Sequence, residues 1–163
     1  MLGRMRELKG KSKLELLETY TIIDTETTGL SVQYDEIIEI AAIKVSRGNI
    51  VDRWHTLVKP NDEISDFISE LTGITNNELK GAPEICDVLP EFLNFIKDDV
   101  IIGHNVNFDI NFIYDYCEDL QLAPLKNDFI DTLRLSRRVY TEFENHKLDT
   151  ITKKIRSRRA DAS

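Results

Sequence analysis

At 163 residues, 41% hydrophobic and 31% charged, the chain has the size and composition of one domain with a buried core, which excludes a disordered chain. No apolar run approaches the roughly 20 residues of a membrane span, and the basic stretch from Met1 to Lys13 lacks the apolar core and cleavage site of a secretory signal. A net charge of −8 excludes tight, non-specific binding of duplex nucleic acid through a broad basic face, though not an enzyme that grips a few nucleotides beside bound cations.

Cys86 and Cys117 are too few and too far apart for a disulfide framework or a cysteine-based zinc site, so a reduced, cytoplasmic protein is expected. Residues 1–18 are rich in Lys, Arg and Glu with scattered leucines (Leu8, Leu14, Leu16, Leu17) and read as an arm outside the core. From Thr19 to Thr25 the β-branched and aromatic composition predicts a strand. Glu36 to Val45 is nearly continuous apolar, the pattern of a strand covered on both faces. Arg47-Gly48-Asn49 supplies hairpin chemistry, and a third strand runs from Ile50 to Val58.

Helical signals follow. Ser65 to Leu71 predicts a short helix, and Thr75-Asn76-Asn77-Glu78 a capped helix start. Pro83 at a first-turn position opens a helix over Glu84–Lys97, where Ile85, Val88, Leu89, Phe92, Phe95 and Ile96 recur at helical spacing and Pro90 should bend the axis. A short strand at Val100–Gly103 leads into a helix near Asn105, packed through Ile110, Phe112, Ile113, Tyr116, Cys117 and Leu120. A last short strand at Phe129-Ile130, a helix over Thr132–Val139 and the start of one more at Lys147 to Lys154 follow. Three strands joined by short loops, then strands alternating with helices, indicate a mixed sheet of the α/β class.

Two stretches carry chemistry. The apolar run Ile22-Ile23 ends in Asp24 and Glu26, which share one side of a strand because successive side chains alternate. Paired carboxylates repel each other unless one keeps a proton or a cation lies between them, and oxygen-only ligands suit Mg²⁺ or Mn²⁺. The plainer alternative is a strand whose last acidic residues face water. The second stretch, His104-Asn105-Val106-Asn107-Phe108-Asp109, follows a short apolar strand at the kind of strand end where α/β sheets collect ligands. Asn105 reads as a helix N-cap that places Asp109 in the early turns, towards the same cleft. Asp109 could equally be a favourable charge near a helix N-terminus, His104 a histidine satisfied by backbone, and Phe108 a core residue.

Taken together, Asp24-Thr25-Glu26-Thr27-Thr28-Gly29-Leu30 and His104-Asn105-Val106-Asn107-Phe108-Asp109 resemble the first two motifs of the DEDD 3′→5′ exonucleases, in the proofreading type of bacterial DNA polymerase III (epsilon-subunit or PolC-type). Leu71-Thr72-Gly73-Ile74-Thr75 and Asp131-Thr132-Leu133 also sit where that family carries similar stretches, and the resemblance spans Tyr20 to about Thr152. It implies a ribonuclease-H-like fold, a five-stranded mixed sheet with one antiparallel strand and helices on both faces. It further implies two divalent cations, Mg²⁺ or Mn²⁺, held by Asp24, Glu26 and Asp109. Thr28, Gly29 and Leu30 would floor the pocket for a terminal nucleotide, Gly29 because backbone must come close there, and His104, Asn105 and Phe108 would line it. The implied substrate is the 3′ end of a nucleic acid, DNA favoured and RNA possible, and the implied partner a DNA polymerase subunit.

The third motif departs from the pattern. The family pattern is His-x-x-x-x-Asp on a last helix; here Asp161 is the one candidate for the fourth carboxylate, and Arg156 stands five residues before it where histidine is expected. A permanently charged guanidinium cannot serve as a general base, so the base is left unassigned; His146 lacks the spacing and His55 lies in a strand far upstream. The expected exonuclease domain, 19–163, is therefore incomplete or altered over about 153–163. The alternative function is a catalytically impaired nucleic-acid-binding or polymerase-associated module of the same fold.

Overall fold

The computed structural model describes the backbone of residues 5–161 and the side chains of residues 5–157. Eleven elements follow in order among them: β1 (Thr19–Thr27), β2 (Ile37–Ser46), β3 (Asn49–Leu57), α1 (Asp66–Thr72), α2 (Asn76–Leu79), α3 (Ile85–Ile96), β4 (Ile101–Gly103), α4 (Asn107–Asp119), β5 (Phe129–Asp131), α5 (Thr132–Val139) and α6 (Leu148–Asp161). The sheet order is β3-β2-β1-β4-β5, with β2 antiparallel to both neighbours and the β1–β4 and β4–β5 pairs parallel. This is the expected mixed five-stranded sheet with β2 as its one antiparallel strand. A tight turn with positive φ at Arg47 and Gly48 joins β2 to β3, the left-handed geometry that matches strand twist.

Alternation divides the sheet into two faces. Ile23 of β1, Ile40 and Ala42 of β2, Ile101 of β4 and Phe129 of β5 enter the main core against Val88, Leu89, Phe92 and Ile96 of α3 and Ile110, Phe112, Ile113 and Cys117 of α4. A register shift after Glu26 pairs Thr27 with Ile37. Ile37 then joins the main core, while Ile38 packs in a second cluster with Ile64, Ile68, Ile74 and Leu79 around α1 and α2. On the opposite face Glu39, Ala41 and Ile43 of β2 are only half-buried, so this strand is not covered on both sides as its apolar run suggests. There α5 and residues 14–17 flank a groove of about 780 Å³ floored by Tyr20, Ile102 and Ile130.

Two helix boundaries differ from expectation. α3 starts at Ile85 with Glu84 at the cap position, so Pro83 precedes the helix, and the helix runs through Pro90 to Ile96. α4 starts at Asn107 behind Val106, with no side-chain cap. Residues 5–18 lie along β5 and α4, and none of them is buried. Lys13 N–H donates to Phe129 O (2.7 Å) and Phe129 N–H to Lys11 O (3.0 Å), a parallel bridge centred on Ser12 at the outer edge of β5. Arg6 meets the buried Asp115 of α4 through two bonds of 2.6 and 2.7 Å, and Lys9 Nζ reaches Asn107 and Asn111. Asn107, Asn111 and Asp115 are four apart, one stripe of α4.

Candidate active site

The end of β1 positions the first two carboxylates. Asp24 and Glu26 leave the sheet on its open face, while Ile23 and Thr25 between and beside them are buried on the other. Much of Asp24 stays exposed, yet crowding around its carboxyl and then the charge of Glu39 push its pKa above the usual range, against the Thr25 backbone and His104. Glu26 is raised as well, by burial first and then by the charges of Asp24 and Glu39.

Asp109 comes from the first turn of α4 and is 5% exposed. Its Oδ1 accepts bonds from Thr25 N–H (3.0 Å) and Thr25 Oγ1 (2.6 Å), which tie α4 to β1 at the level of the two carboxylates. Burial, followed by the negative charge of Asp24, pushes the Asp109 carboxyl up to about 7 although both Thr25 bonds favour the charged form. Three acids that each hold their protons too tightly share one cause, negative charge brought together away from water.

His104, on the turn after β4, is near enough for its charge to favour the ionised form of Asp24. The Thr132 hydroxyl donates to Gly103 O (3.1 Å), so its oxygen is left to accept from His104 Nδ1 at 3.0 Å. That arrangement fixes the proton on Nδ1 and leaves Nε2 as the basic nitrogen of the neutral ring. Asn105 is not the N-cap read from the sequence. Its φ is +61°, a left-handed conformation that asparagine tolerates, and its N–H donates to Asp131 Oδ1 (2.9 Å). Asp131, 4% exposed, also caps α5 by accepting from Leu133 N–H at 2.9 Å. One buried carboxylate thus binds the turns after β4 and β5 to each other.

The turn after β1 is built around Asp35, which accepts from Ser31 N–H (2.8 Å) and Thr28 Oγ1 (3.3 Å). A β-carbon on Gly29 would lie 2.5 Å from the Asp35 carboxylate, so the loop's own packing already favours glycine at this position. Leu30 projects from the turn at 86% exposure. Phe108 is half-buried and packs on Phe112 with ring centroids 5.0 Å apart, facing the core margin.

Two site residues went unread in the sequence. Glu39 lies directly across the β1–β2 ladder from Glu26, and His55 Nε2 on β3 meets Glu39 Oε1 at 2.6 Å. The only signal for Glu39 was a charge inside an apolar strand; His55 had none, since its place follows from hairpin register. His146 bonds Ser136 of α5 (2.7 Å). Asp161 closes α6, and its side chain lies outside the described residues.

Among the described residues, no three His, Cys, Asp or Glu side chains are drawn together closely enough to hold a metal ion as they stand. The donor chemistry of Asp24, Glu26 and Asp109 nevertheless fits a hard divalent cation: all are carboxylates, and each carries charge that a cation would relieve. No helix among the described residues is long and apolar enough to cross a membrane.

Comparison with known proteins agrees with this architecture. The Exonuclease family profile matches residues 21–160. DNA polymerase III PolC-type of Bacillus subtilis is 46% identical over 139 residues, covering 85% of this chain and 10% of that protein. The PolC-type polymerase of Caldanaerobacter subterraneus is 46% identical over 142 residues, covering 87% of this chain and 10% of its own length. The chain therefore spans about a tenth of the length of these relatives. Among solved structures, exonuclease X in complex with 5′ overhanging duplex DNA superposes with a TM-score of 0.67 at 28% identity, covering 84% of this chain and 73% of that one. E. coli exonuclease I in complex with a dT13 oligonucleotide shares the fold, with a TM-score of 0.67 over 76% of this chain and 30% of that one at 21% identity. With motifs on β1 and α4 and a profile match over most of its length, the chain belongs to the exonuclease family.

Proposed function

We propose that the chain is a 3′→5′ exonuclease domain that hydrolyses the terminal phosphodiester of single-stranded DNA, with RNA as a possible second substrate, and that it works with a DNA polymerase. The observation that carries this reading is that Thr25, between Asp24 and Glu26 on β1, holds Asp109 of α4 by two hydrogen bonds, with the charges of Asp109 and His104 both coupled to Asp24. Asp24, Glu26 and Asp109 would hold Mg²⁺ or Mn²⁺, with Asp161 as the further ligand from α6. Bound divalent cations would supply stabilisation of the charge that builds on the phosphate oxygens.

The chain's own groups do the rest. Thr25 fixes Asp109 against β1. His104, held through Nδ1 by Thr132, presents Nε2 as acceptor for the proton of the attacking water, the role the third motif leaves unfilled. Leu30 offers an exposed apolar surface to the terminal base, and the turn over Thr28 and Gly29 supports it. Stacking and phosphate contacts of this kind need no base-edge readout, which suits frayed 3′ ends. The relatives named as DNA polymerases and the fold neighbours bound to DNA support DNA as the substrate and a polymerase as the partner.

The test is release of mononucleotides from a single strand, labelled at its 5′ end to resolve polarity, with Mn²⁺ present. Shortening from the 3′ end is expected, and Asp24→Ala should reduce the rate by at least about a hundredfold, the scale on which electrostatic groups at a reacting centre act. Unchanged turnover in that variant would remove Asp24 from the site. Arg156, five residues before Asp161, favours a second reading: an impaired domain that binds oligonucleotide without metal-dependent product. Measured binding without shortening would select it.

A further inference from the structure

Three adjacent strands and the start of the next turn place four groups in a row across the open face: His55 on β3, Glu39 on β2, Asp24 with Glu26 on β1, and His104 after β4. The β1–β2 register puts Glu39 directly opposite Glu26, an arrangement of like charges that weakens a sheet. Glu39 is only 27% exposed and its charge reaches both Asp24 and Glu26. Its Oε1 is occupied by His55 Nε2 at 2.6 Å, and among the described residues no other side chain bonds it. His55 itself is 58% exposed, so its ring contributes little to the core.

We infer that Glu39 and His55 are positioning residues of the carboxylate site: His55 fixes the Glu39 carboxylate, and Glu39 adds its negative charge beside Asp24 and Glu26, where a divalent cation would be held. This rests on the reading of Asp24, Glu26 and Asp109 as cation ligands. The logic is that of outer-shell groups at metal centres, where a histidine–carboxylate bond sets orientation and charge and its loss typically weakens metal affinity about 10–100-fold. It explains why a carboxylate stands in β2 directly opposite another carboxylate, where a neutral residue would hold the sheet better.

The experiment titrates the full chain with Mn²⁺ and follows free Mn²⁺ by electron paramagnetic resonance, for the wild type, Glu39→Gln, His55→Ala, His55→Gln and Asp24→Asn. Melting without metal and oligonucleotide kinetics run alongside. Glu39→Gln should raise the Mn²⁺ dissociation constant about tenfold or more, raise the Mn²⁺ concentration needed for half-maximal turnover, and leave the KM for oligonucleotide unchanged. His55→Ala should act in the same direction, and His55→Gln, which still offers a donor, should recover part of the loss. Metal-free melting of Glu39→Gln should not fall below the wild type, because one of two opposed charges is gone. Wild-type Mn²⁺ affinity in Glu39→Gln while Asp24→Asn loses it would overturn the inference and leave the site intact. Lower metal-free stability with unchanged affinity would assign the pair to β2–β3 pairing and overturn it as well. Unchanged affinity in Asp24→Asn would overturn the reading of the site itself.

Discussion

Asp109 concentrates the conflict that organises the site. It is buried and bonded twice by Thr25, yet its carboxyl is pushed up to about 7 because burial and the charge of Asp24 outweigh those bonds. An acid whose folded pKa is raised binds more protons folded than unfolded, so the metal-free domain loses stability as pH rises from roughly 4 through 7. Asp109→Asn keeps an oxygen for Thr25 N–H and removes the charge. Urea unfolding in EDTA should therefore show the variant more stable than the wild type at pH 8, by at most about 4 kcal/mol, with the gap closing towards pH 4. A gap independent of pH would mean that buried charge is not what raises the carboxyl. Mn²⁺ should reverse the order at pH 8, since only the wild type offers the full ligand. The residue types at this centre were legible in the sequence because Asp24-x-Glu26 and His104 to Asp109 are local runs. Glu39 and His55 were not, because their meeting is decided by cross-strand register, including a β2–β3 shift between Lys44 and Val45 that no local pattern announces. Asn105 was misread for a similar reason: a good N-cap type is held left-handed by a tertiary bond to Asp131.

At the scale of elements, strand and helix order was readable from periodicity, and most boundaries lie within a residue or two of the expected ones. What periodicity missed is how the segment before β1 attaches. Its apolar residues are scattered, so its hold on the domain comes from main-chain bonds to Phe129 and from polar contacts with α4. Gly10 is the tight point of that seat, since a β-carbon there would lie 2.0 Å from Asn127 O. Gly10→Ala should lift the arm from the outer edge of β5 and cost about 1–3 kcal/mol, the usual range for a steric conflict at a packed position. Hydrogen exchange locates the effect: the Phe129 amide, bonded to Lys11 O, should exchange much faster while the β1–β2 ladder amides keep their protection. Equal protection of Phe129 in the variant would show that the arm does not depend on that close approach. Because Asp131 ends the same short strand and binds Asn105, loosening β5 should also slow turnover without changing the residues at the reacting centre.

Over the whole molecule the charge is divided unevenly. Residues 132–163 hold nine Lys or Arg against four Asp or Glu, within a chain of net charge −8. The acidic excess therefore lies in the part that contains the carboxylate site, and the basic excess begins where Thr132 of α5 touches His104. Net charge argued only against a broad basic face for duplex; the distribution of the same charges argues for a strand whose phosphates run over α5 while its end reaches the site. Arg137 and Arg138 are exposed on α5, and Arg138 lines the groove beside it. Phosphate contacts release counterions, with a slope of log affinity against log salt near −0.7 for each contact on single strands. The double change Arg137→Ala and Arg138→Ala should weaken binding of all oligonucleotide sequences alike and make that slope shallower by about 1.4. Anisotropy titrations of a labelled single strand between low and moderate salt, with Ca²⁺ in place of Mn²⁺ to suppress turnover, measure both quantities. An unchanged slope would place the phosphate path on another face, and a change confined to particular sequences would mean that these arginines read bases instead of backbone.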